Sequence, residues 1–341
     1  MKYDVTIGIP MYNVENFIGR TMKSALKQNY RSIEYLIVDD GSDDRSLGVV
    51  RDFQINHPRG KDIRIITLPE NHGPSAARNR IIDEATGEFL YFLDSDDIIR
   101  EDTISLMIKY AMDEKADIIF ASMEKMLLSG ERTVYQYPKI FFHEKDDFAN
   151  FSYRKYAGIQ ASACNFLVRL SIIRENGLHF YHSNYWEDFV FVLDLVTYVN
   201  HAVLLPDITY TYLCRLNSLS NFQKRDTVDK SEILRNADVA EYMKRGSLRI
   251  KDKPYFPQRC YVAVMTDFYI ACNILKKRNK IVPNITNKEI KALFSHPATL
   301  RVICSFRHFR KKNMFLYLLG KLPSSLCVFT IWSLGKKKKL I

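Results

Sequence analysis

Along the first 120 residues, apolar and polar positions repeat one unit: a short apolar run rich in β-branched residues, then a stretch with apolar residues at helical spacing. The apolar runs fall at 5–10, 33–38, 63–68, 89–93 and 118–121, each of strand length, and the helical stretches at 16–28, 45–56 and 75–85. This alternation predicts parallel strands joined by crossover helices, an α/β sandwich. A further apolar stretch at 165–173, a helical run at 189–199 and two strand-like runs at 203–206 and 208–213 extend the pattern, so the first domain is expected to span 1–225. From Thr227 onward the pattern is helical with little β signal, cut by Pro254, Pro257, Pro283, Pro297 and Pro323. Residues 226–341 therefore read as an α-helical C-terminal extension.

Open sheets of this kind bind ligands beyond the carboxyl ends of their strands. Here those ends lead into polar loops: Met11-Tyr12-Asn13, Asp39-Asp40-Gly41-Ser42-Asp43-Asp44, Glu70-Asn71-His72-Gly73-Pro74-Ser75 and Asp94-Ser95-Asp96-Asp97. Mg²⁺ and Mn²⁺ prefer hard oxygen ligands, commonly one or two carboxylates plus diphosphate oxygens, which suits Asp94 and Asp96 at a strand end. A solvated acidic turn has the same composition. A second acidic strand end, Asp39-Asp40, would repel the first unless a cation or hydrogen-bond donors such as a uracil-like imide and ribose hydroxyls occupy the cleft. Ser42 or Asp43 is also a candidate helix N-cap. At 72–79, glycine and small residues open a helix whose N-terminus favours anions, and Arg78 adds a cation.

Taken together, Ile9-Pro10-Met11-Tyr12-Asn13, Val38-Asp39-Asp40-Gly41-Ser42, Gly73-Pro74-Ser75-Ala76-Ala77-Arg78-Asn79, Gly87-Glu88-Phe89 with Leu93-Asp94-Ser95-Asp96-Asp97, and Trp186-Glu187-Asp188 resemble, in order, the motifs of the family 2 glycosyltransferases. The resemblance covers roughly residues 3–220. It implies a glycosyltransferase A-type fold and an enzyme that moves a sugar from a nucleoside-diphosphate donor, UDP favoured, to a hydroxyl of a glycan or lipid-linked acceptor. Position by position, it implies nucleotide binding by Pro10, Tyr12, Asn13, Asp39, Asp40, Gly73, Arg78, Asp94, Ser95 and Arg215. Divalent metal, Mn²⁺ or Mg²⁺, is expected at Asp94 and Asp96, and Asp188 is expected as catalytic base. One carboxylate facing the anomeric carbon can take the acceptor's proton, and a metal-neutralised diphosphate needs no acid, so inversion is expected. Glu187-Asp188 could equally be favourable acids at a helix start. Arg215, in the segment 212–220, would reach the diphosphate on loop closure; a structural salt bridge is the other reading. His182 lies near the expected acceptor pocket.

Some features narrow the class. The segment 122–156 matches no family motif, and neither a Gln-x-x-Arg-Trp motif nor long apolar spans are present, which excludes the processive membrane synthases. A sugar-nucleotide nucleotidyltransferase would need a Gly-rich, cationic phosphate loop where Pro10-Met11-Tyr12-Asn13 stands. A non-catalytic, membrane-bound nucleotide-binding protein remains the other alternative. Six cysteines, none before Cys164 and none as Cys-x-x-Cys, argue against zinc or a disulfide framework. The start carries no secretory signal, so a reducing cytoplasmic compartment is expected.

Net charge is +11, with the excess mostly beyond residue 220. No nucleic-acid motif accompanies it, so no nucleic-acid partner is expected. Cations alternate with aromatic and aliphatic residues at 301–312 and 332–339, and the apolar run 326–334 is roughly half the length that spans a bilayer. The tail is expected to lie on the inner face of the cell membrane, its lysines attracting anionic lipid at about 1 kcal/mol each. A packed helical domain with a basic face, or a homo-oligomer contact, would use the same residues.

Overall fold

The computed structural model of the protein describes residues 3–156, 158–183, 186–215 and 227–341. It divides into two compact units, Met1–Phe148 with Ala161–Asn221, and Ala149–Gln160 with Phe222–Ile341. Residue 225, the expected boundary, lies outside the described residues.

Ten strands of the first unit form one mixed sheet: β1 (Tyr3–Met11), β2 (Ile33–Asp39), β3 (Ile63–Thr67), β4 (Gly87–Phe92), β5 (Ile98–Ile99), β6 (Ile118–Met126), β7 (Arg132–Tyr135), β8 (Ile140–Phe142), β9 (Phe166–Arg169) and β10 (Ala202–Leu213). Their order is β3-β2-β1-β4-β9-β6-β10-β5, with β7 on β6 and β8 on β10. The helices in chain order are α1 (Ile18–Leu26), α2 (Ser46–Asn56), α3 (Pro74–Glu84), α4 (Thr103–Asp113), α5 (Asp147–Lys155), most of which belongs to the second unit, α6 (Leu170–Glu175) and α7 (Glu187–Leu195). β1, β2, β3 and β4 are mutually parallel, while β9 runs antiparallel between β4 and β6. All seven residues of β2 are buried, as expected of a parallel strand covered on both faces. Ile18, Met22, Ala25 and Leu26 give α1 a single buried stripe.

The chain runs outward from β1 to β3, then returns to place β4 on the other side of β1, so its direction of winding reverses there. This is the topological switch point at which open sheets form a ligand crevice. Register sets Met11 opposite Asp39, and Gly8 opposite Phe92 with Leu93 N–H bonded to the Gly8 carbonyl, so the polar loops leave the sheet side by side. The two strand runs expected at 203–213 are one strand, β10. Its register is irregular between Leu205 and Tyr210, next to Pro206, which has no amide hydrogen to donate.

In the second unit, helices α8 (Lys230–Ser247), α9 (Phe256–Lys277), α10 (Asn287–Ala292), α11 (Leu300–Ser305), α12 (Arg310–Lys321) and α13 (Ser324–Lys337) are joined by one short parallel pair, β11 (Val228–Asp229) with β12 (Ile281–Val282). Proline marks helix starts: Pro257 lies in the first turn of α9 and Pro323 caps α13. Val264, Phe268, Ala271, Ile274, Leu316, Leu319, Cys327 and Ile331 share one core. Within the apolar run 326–334, Cys327, Val328 and Ile331 are buried, whereas Leu326, Phe329 and Trp332 are exposed. No described helix is long and apolar enough to cross a membrane.

Candidate functional site

At the end of β1, Asn13 adopts a left-handed conformation (φ 46°) and zips the first loop to the second. Its amide donates to Ser42 Oγ (3.1 Å), its Nδ2 to Asp43 Oδ1 (2.7 Å), and its Oδ1 accepts from the Asp43 amide (3.0 Å). Tyr12, next to it in the chain, is 44% exposed. Neither Ser42 nor Asp43 is the helix cap expected there: the N-cap of α2 is Arg45, which makes no side-chain cap bond, while Asp44 just before it accepts the Ser46 amide at 2.9 Å. Asp39 accepts from the Ser42 amide at 3.3 Å through Oδ1. Its Oδ2 is buried and has no hydrogen-bond partner among the described residues, the condition of an acceptor that awaits a donor.

Asp40 is used differently. Both of its oxygens accept backbone amides, Oδ1 from His72 (3.0 Å) and Oδ2 from Gly73 (2.8 Å), so it shapes the turn that opens α3. Burial raises its pKa despite those two bonds. Gly73 caps α3 at φ 88° and Pro74 follows in the first turn. Gly41, at φ 71°, packs so close to residue 70 that a Cβ would lie 2.8 Å from the Glu70 carbonyl carbon.

The side chains of α3 then take hold of a distant segment. Ser75 Oγ donates to the Tyr181 carbonyl (2.8 Å), while Asn79 donates to the Phe180 carbonyl (2.9 Å) and accepts its amide (2.8 Å). These bonds anchor the chain just before Trp186, which caps α7 in a left-handed conformation (φ 69°). Between them lies Arg78, 5% exposed, with its guanidinium 5.5 Å over the Phe180 ring. Arg78 Nη2 donates to Asp94 Oδ1 (3.0 Å) and Nη1 to Glu187 Oε1 (3.3 Å). Nη1 also lies 2.8 Å from Asp188 Oδ1, an ion pair without hydrogen-bond alignment. One cation thus serves three carboxylates, and their charge holds its pKa well above the usual arginine value against the effect of burial. Burial pushes Asp188 up to about 8 and raises Glu187, while Arg78 pulls both back.

The acidic loop after β4 is fastened by α1: Thr21 Oγ1 donates to the Ser95 and Asp97 carbonyls and Arg20 to the Asp96 carbonyl. Its three acids have three fates. Asp94 faces Arg78. Asp96 pairs with Arg215, whose guanidinium lies 5.1 Å over the Phe17 ring. Asp97 is wholly buried, accepting from Tyr210 Oη (2.6 Å) and the Leu213 amide (2.8 Å), and ties the loop to β10. Burial raises the Asp96 pKa, and the neighbouring Asp94 charge raises it further. Two oxygen-bearing side chains under mutual repulsion fit a hard divalent cation. No described group of three or more His, Cys, Asp or Glu side chains could hold an ion alone, so an ion here would draw further oxygens from its ligand.

Asp39 at the end of β2 and Asp40, Gly73, Arg78, Asp94, Ser95, Asp96, Asp188 and Arg215 on loops or helices therefore belong to elements bonded to one another, with Pro10 near the end of β1 and Tyr12 and Asn13 after it at the adjoining rim. His182 is exposed. Residues 216–220 of the segment singled out around Arg215 lie outside the described residues. Sequence reasoning missed Cys164, a buried thiol that hydrogen-bonds Tyr210 and that burial pushes well above its usual pKa. A lone cysteine with no motif carried no signal. It also missed Ser75 and Asn79 as clamps, although both stand in the quoted motif.

The glycosyl transferase family 2 model matches residues 6–177, about half of the chain. The chain belongs to that family. It is 33% identical over 108 residues to an uncharacterized glycosyltransferase of Haemophilus influenzae, covering 32% of this chain and 42% of that protein. Against the succinoglycan biosynthesis protein ExoO of Rhizobium meliloti it is 37% identical over 127 residues, 37% of this chain and 35% of ExoO. The chain thus spans less than half the length of these relatives. Its fold matches the crystal structure of S. aureus TarS 1–349 in complex with UDP-GlcNAc with a TM-score of 0.69 at 18% identity, over 94% of this chain and 90% of that one. The fold is of the glycosyltransferase A type, extended by the C-terminal helices.

Proposed function

We propose that this family 2 member is a metal-dependent, inverting glycosyltransferase that moves a sugar from a nucleoside diphosphate, UDP favoured, onto a hydroxyl of a glycan or lipid-linked acceptor in bacterial surface polysaccharide synthesis. The observation that carries this reading is Arg78. Its guanidinium joins Asp94, on the acidic loop at the switch point, to Glu187 and Asp188 at the start of α7. The leaving-group side and the base side of a transfer would then share one anchor. Asp188 takes the proton of the attacking hydroxyl, and burial brings its proton affinity into the range where a base is effective near neutral pH. Asp94 and Asp96 would hold a divalent ion, which when bound neutralises charge on the departing diphosphate. Arg215 adds a cation on the same side. With one base and no acid required for the leaving group, displacement inverts the anomeric carbon.

The buried Oδ2 of Asp39, without a partner among the described residues, supports a base with an imide N–H, and TarS, of like fold, was crystallised with UDP-GlcNAc. ExoO supports a polysaccharide context. Exposed Phe315, Leu318, Leu326, Phe329 and Trp332 on α12 and α13, with Lys336 4.3 Å over the Trp332 ring, support attachment to the inner leaflet of a membrane.

The decisive experiment is Asp188→Asn. Donor binding in Mn²⁺ should persist while transfer falls by about 10²–10⁴-fold, the usual contribution of a positioned base. Turnover like that of the wild type would remove Asp188 from the mechanism.

A further inference from the structure

The second unit contains a basic pocket of about 500 Å³ at the N-terminus of α12. Arg154 of α5, Gln258 of α9, and Arg307, Arg310 and Lys311 line it. Among the described residues none of these four cations has an ion-pair partner, so their charge is left for something else. Helix α12 adds to this field. Phe309 caps it in a left-handed conformation with no side-chain cap bond, and its first turn contains no acid, so the positive end of the helix is not neutralised.

A second and independent feature lies in the wall. Gln258 is 1% exposed, and its Oε1 is buried without a hydrogen-bond partner among the described residues. Buried amides are normally satisfied. The NH₂ group of the same side chain is not enclosed in this way, so the Gln258 side of the pocket keeps a donor for a ligand. The walls are also fixed in advance. Buried Asn313 of α12 donates to the Pro257 carbonyl of α9 (2.9 Å) and to the Phe309 carbonyl (3.0 Å), and its Oδ1 meets His296 Nε2 at 3.0 Å. Lys312 is held 4.5 Å over the Phe309 ring.

We propose that this pocket is an anion site that takes a phosphate or diphosphate group, separate from the donor site of the sheet unit and independent of the mechanism assigned there. Arginines supply forked donors for phosphate oxygens, Lys311 a point charge, the helix end its amides, and Gln258 a neutral donor at the wall. The group could belong to a phosphorylated lipid or to a soluble phosphate compound, which share this chemistry.

The test titrates the full chain calorimetrically with inorganic pyrophosphate, comparing wild type with three variants. Arg307→Gln with Lys311→Gln should weaken binding about tenfold or more, given the usual worth of charge-assisted hydrogen bonds. Gln258→Met should weaken it several-fold with no change of charge. Lys336→Gln with Lys337→Gln, which removes two cations from α13, should leave it unchanged. Thermal midpoints equal to that of the wild type establish folding, and exposed Arg154→Gln replaces the pair should it fail to fold. Equal affinity in wild type and the Arg307/Lys311 pair, or an equal loss in the α13 pair, would overturn the proposal. Flotation with phosphatidylcholine vesicles, with and without phosphatidic acid, identifies the source. Loss of acid-dependent flotation in the Arg307/Lys311 pair assigns a lipid headgroup, and unchanged flotation with lost pyrophosphate binding assigns a soluble phosphate.

Discussion

Arg78→Met is the most informative perturbation, because it removes one charge and leaves three carboxylates to respond. Methionine keeps much of the aliphatic bulk under Phe180. Removing one partner of a buried ion pair costs about 3–5 kcal/mol, and solvent reaching Asp94 (27% side-chain exposure) and Asp188 (21%) places the expectation near the lower figure, about 3 kcal/mol. At about 2–4 °C per kcal/mol, the melting temperature should fall by roughly 6–12 °C. The pH dependence is more specific than the size. Glu187 and Asp188 have folded pKa values raised above their unfolded ones by burial, and Arg78 limits the rise. A raised carboxyl pKa means that stability is lost as pH climbs from the unfolded to the folded value. Without Arg78 the folded values move higher still, so the variant goes on losing stability after the wild type has levelled off. The gap should therefore be smallest well below about pH 8, where Asp188 is protonated in both proteins, and should widen through about pH 8, where Asp188 ionises in the wild type. Thermal unfolding followed by circular dichroism at a series of pH values measures it. A gap that is constant or narrows as pH rises would refute the claim that Arg78 acts on these acids through charge.

Other expectations concern the same site. The transfer rate at limiting substrate should rise about tenfold per pH unit up to about pH 8 and level off above it, since the base works only when ionised; a profile flat from pH 6 to 8 contradicts this. Asp96→Ala should weaken donor binding when Mn²⁺ is present and match the wild type in a chelator, and equal affinity of the two proteins in Mn²⁺ counts against a metal at that carboxylate. Gly41→Ala should destabilise by at least about 1–2 kcal/mol, because a Cβ is forced both into the left-handed region and against the Glu70 backbone. Its nucleotide affinity should drop as well, and an unchanged melting temperature would show that the loop can give way.

Much of the parallel half of the sheet is legible in the sequence because each strand there carries a short, mostly apolar run followed by turn residues. β9 was not, since its four residues pass directly into α6 with no breaker between them. The acidic loops could be found because carboxylates at strand ends are rare enough to notice. Their individual partners could not, because spacing alone does not say which way a side chain turns. Asp40 faces the His72 and Gly73 amides, Asp97 the end of β10, and Asp94 an arginine sixteen residues earlier. Those choices depend on the β1–β2 and β1–β4 registers, which bring together residues far apart in the chain. Arg78 as a hub was equally hidden. Its motif predicts a cation near the loop, whereas Glu187 and Asp188 reach it only because Ser75 and Asn79 hold residues 180–183 in place.

That grip has a bearing on how such an enzyme could diversify. Ser75 and Asn79 bind residues 180, 181 and 183 through main-chain atoms, so the identities of the side chains at 181 and 182 do not enter these bonds. Substitution at those two places can therefore change the neighbouring surface while the main-chain bonds that hold this segment to α3 remain as they are.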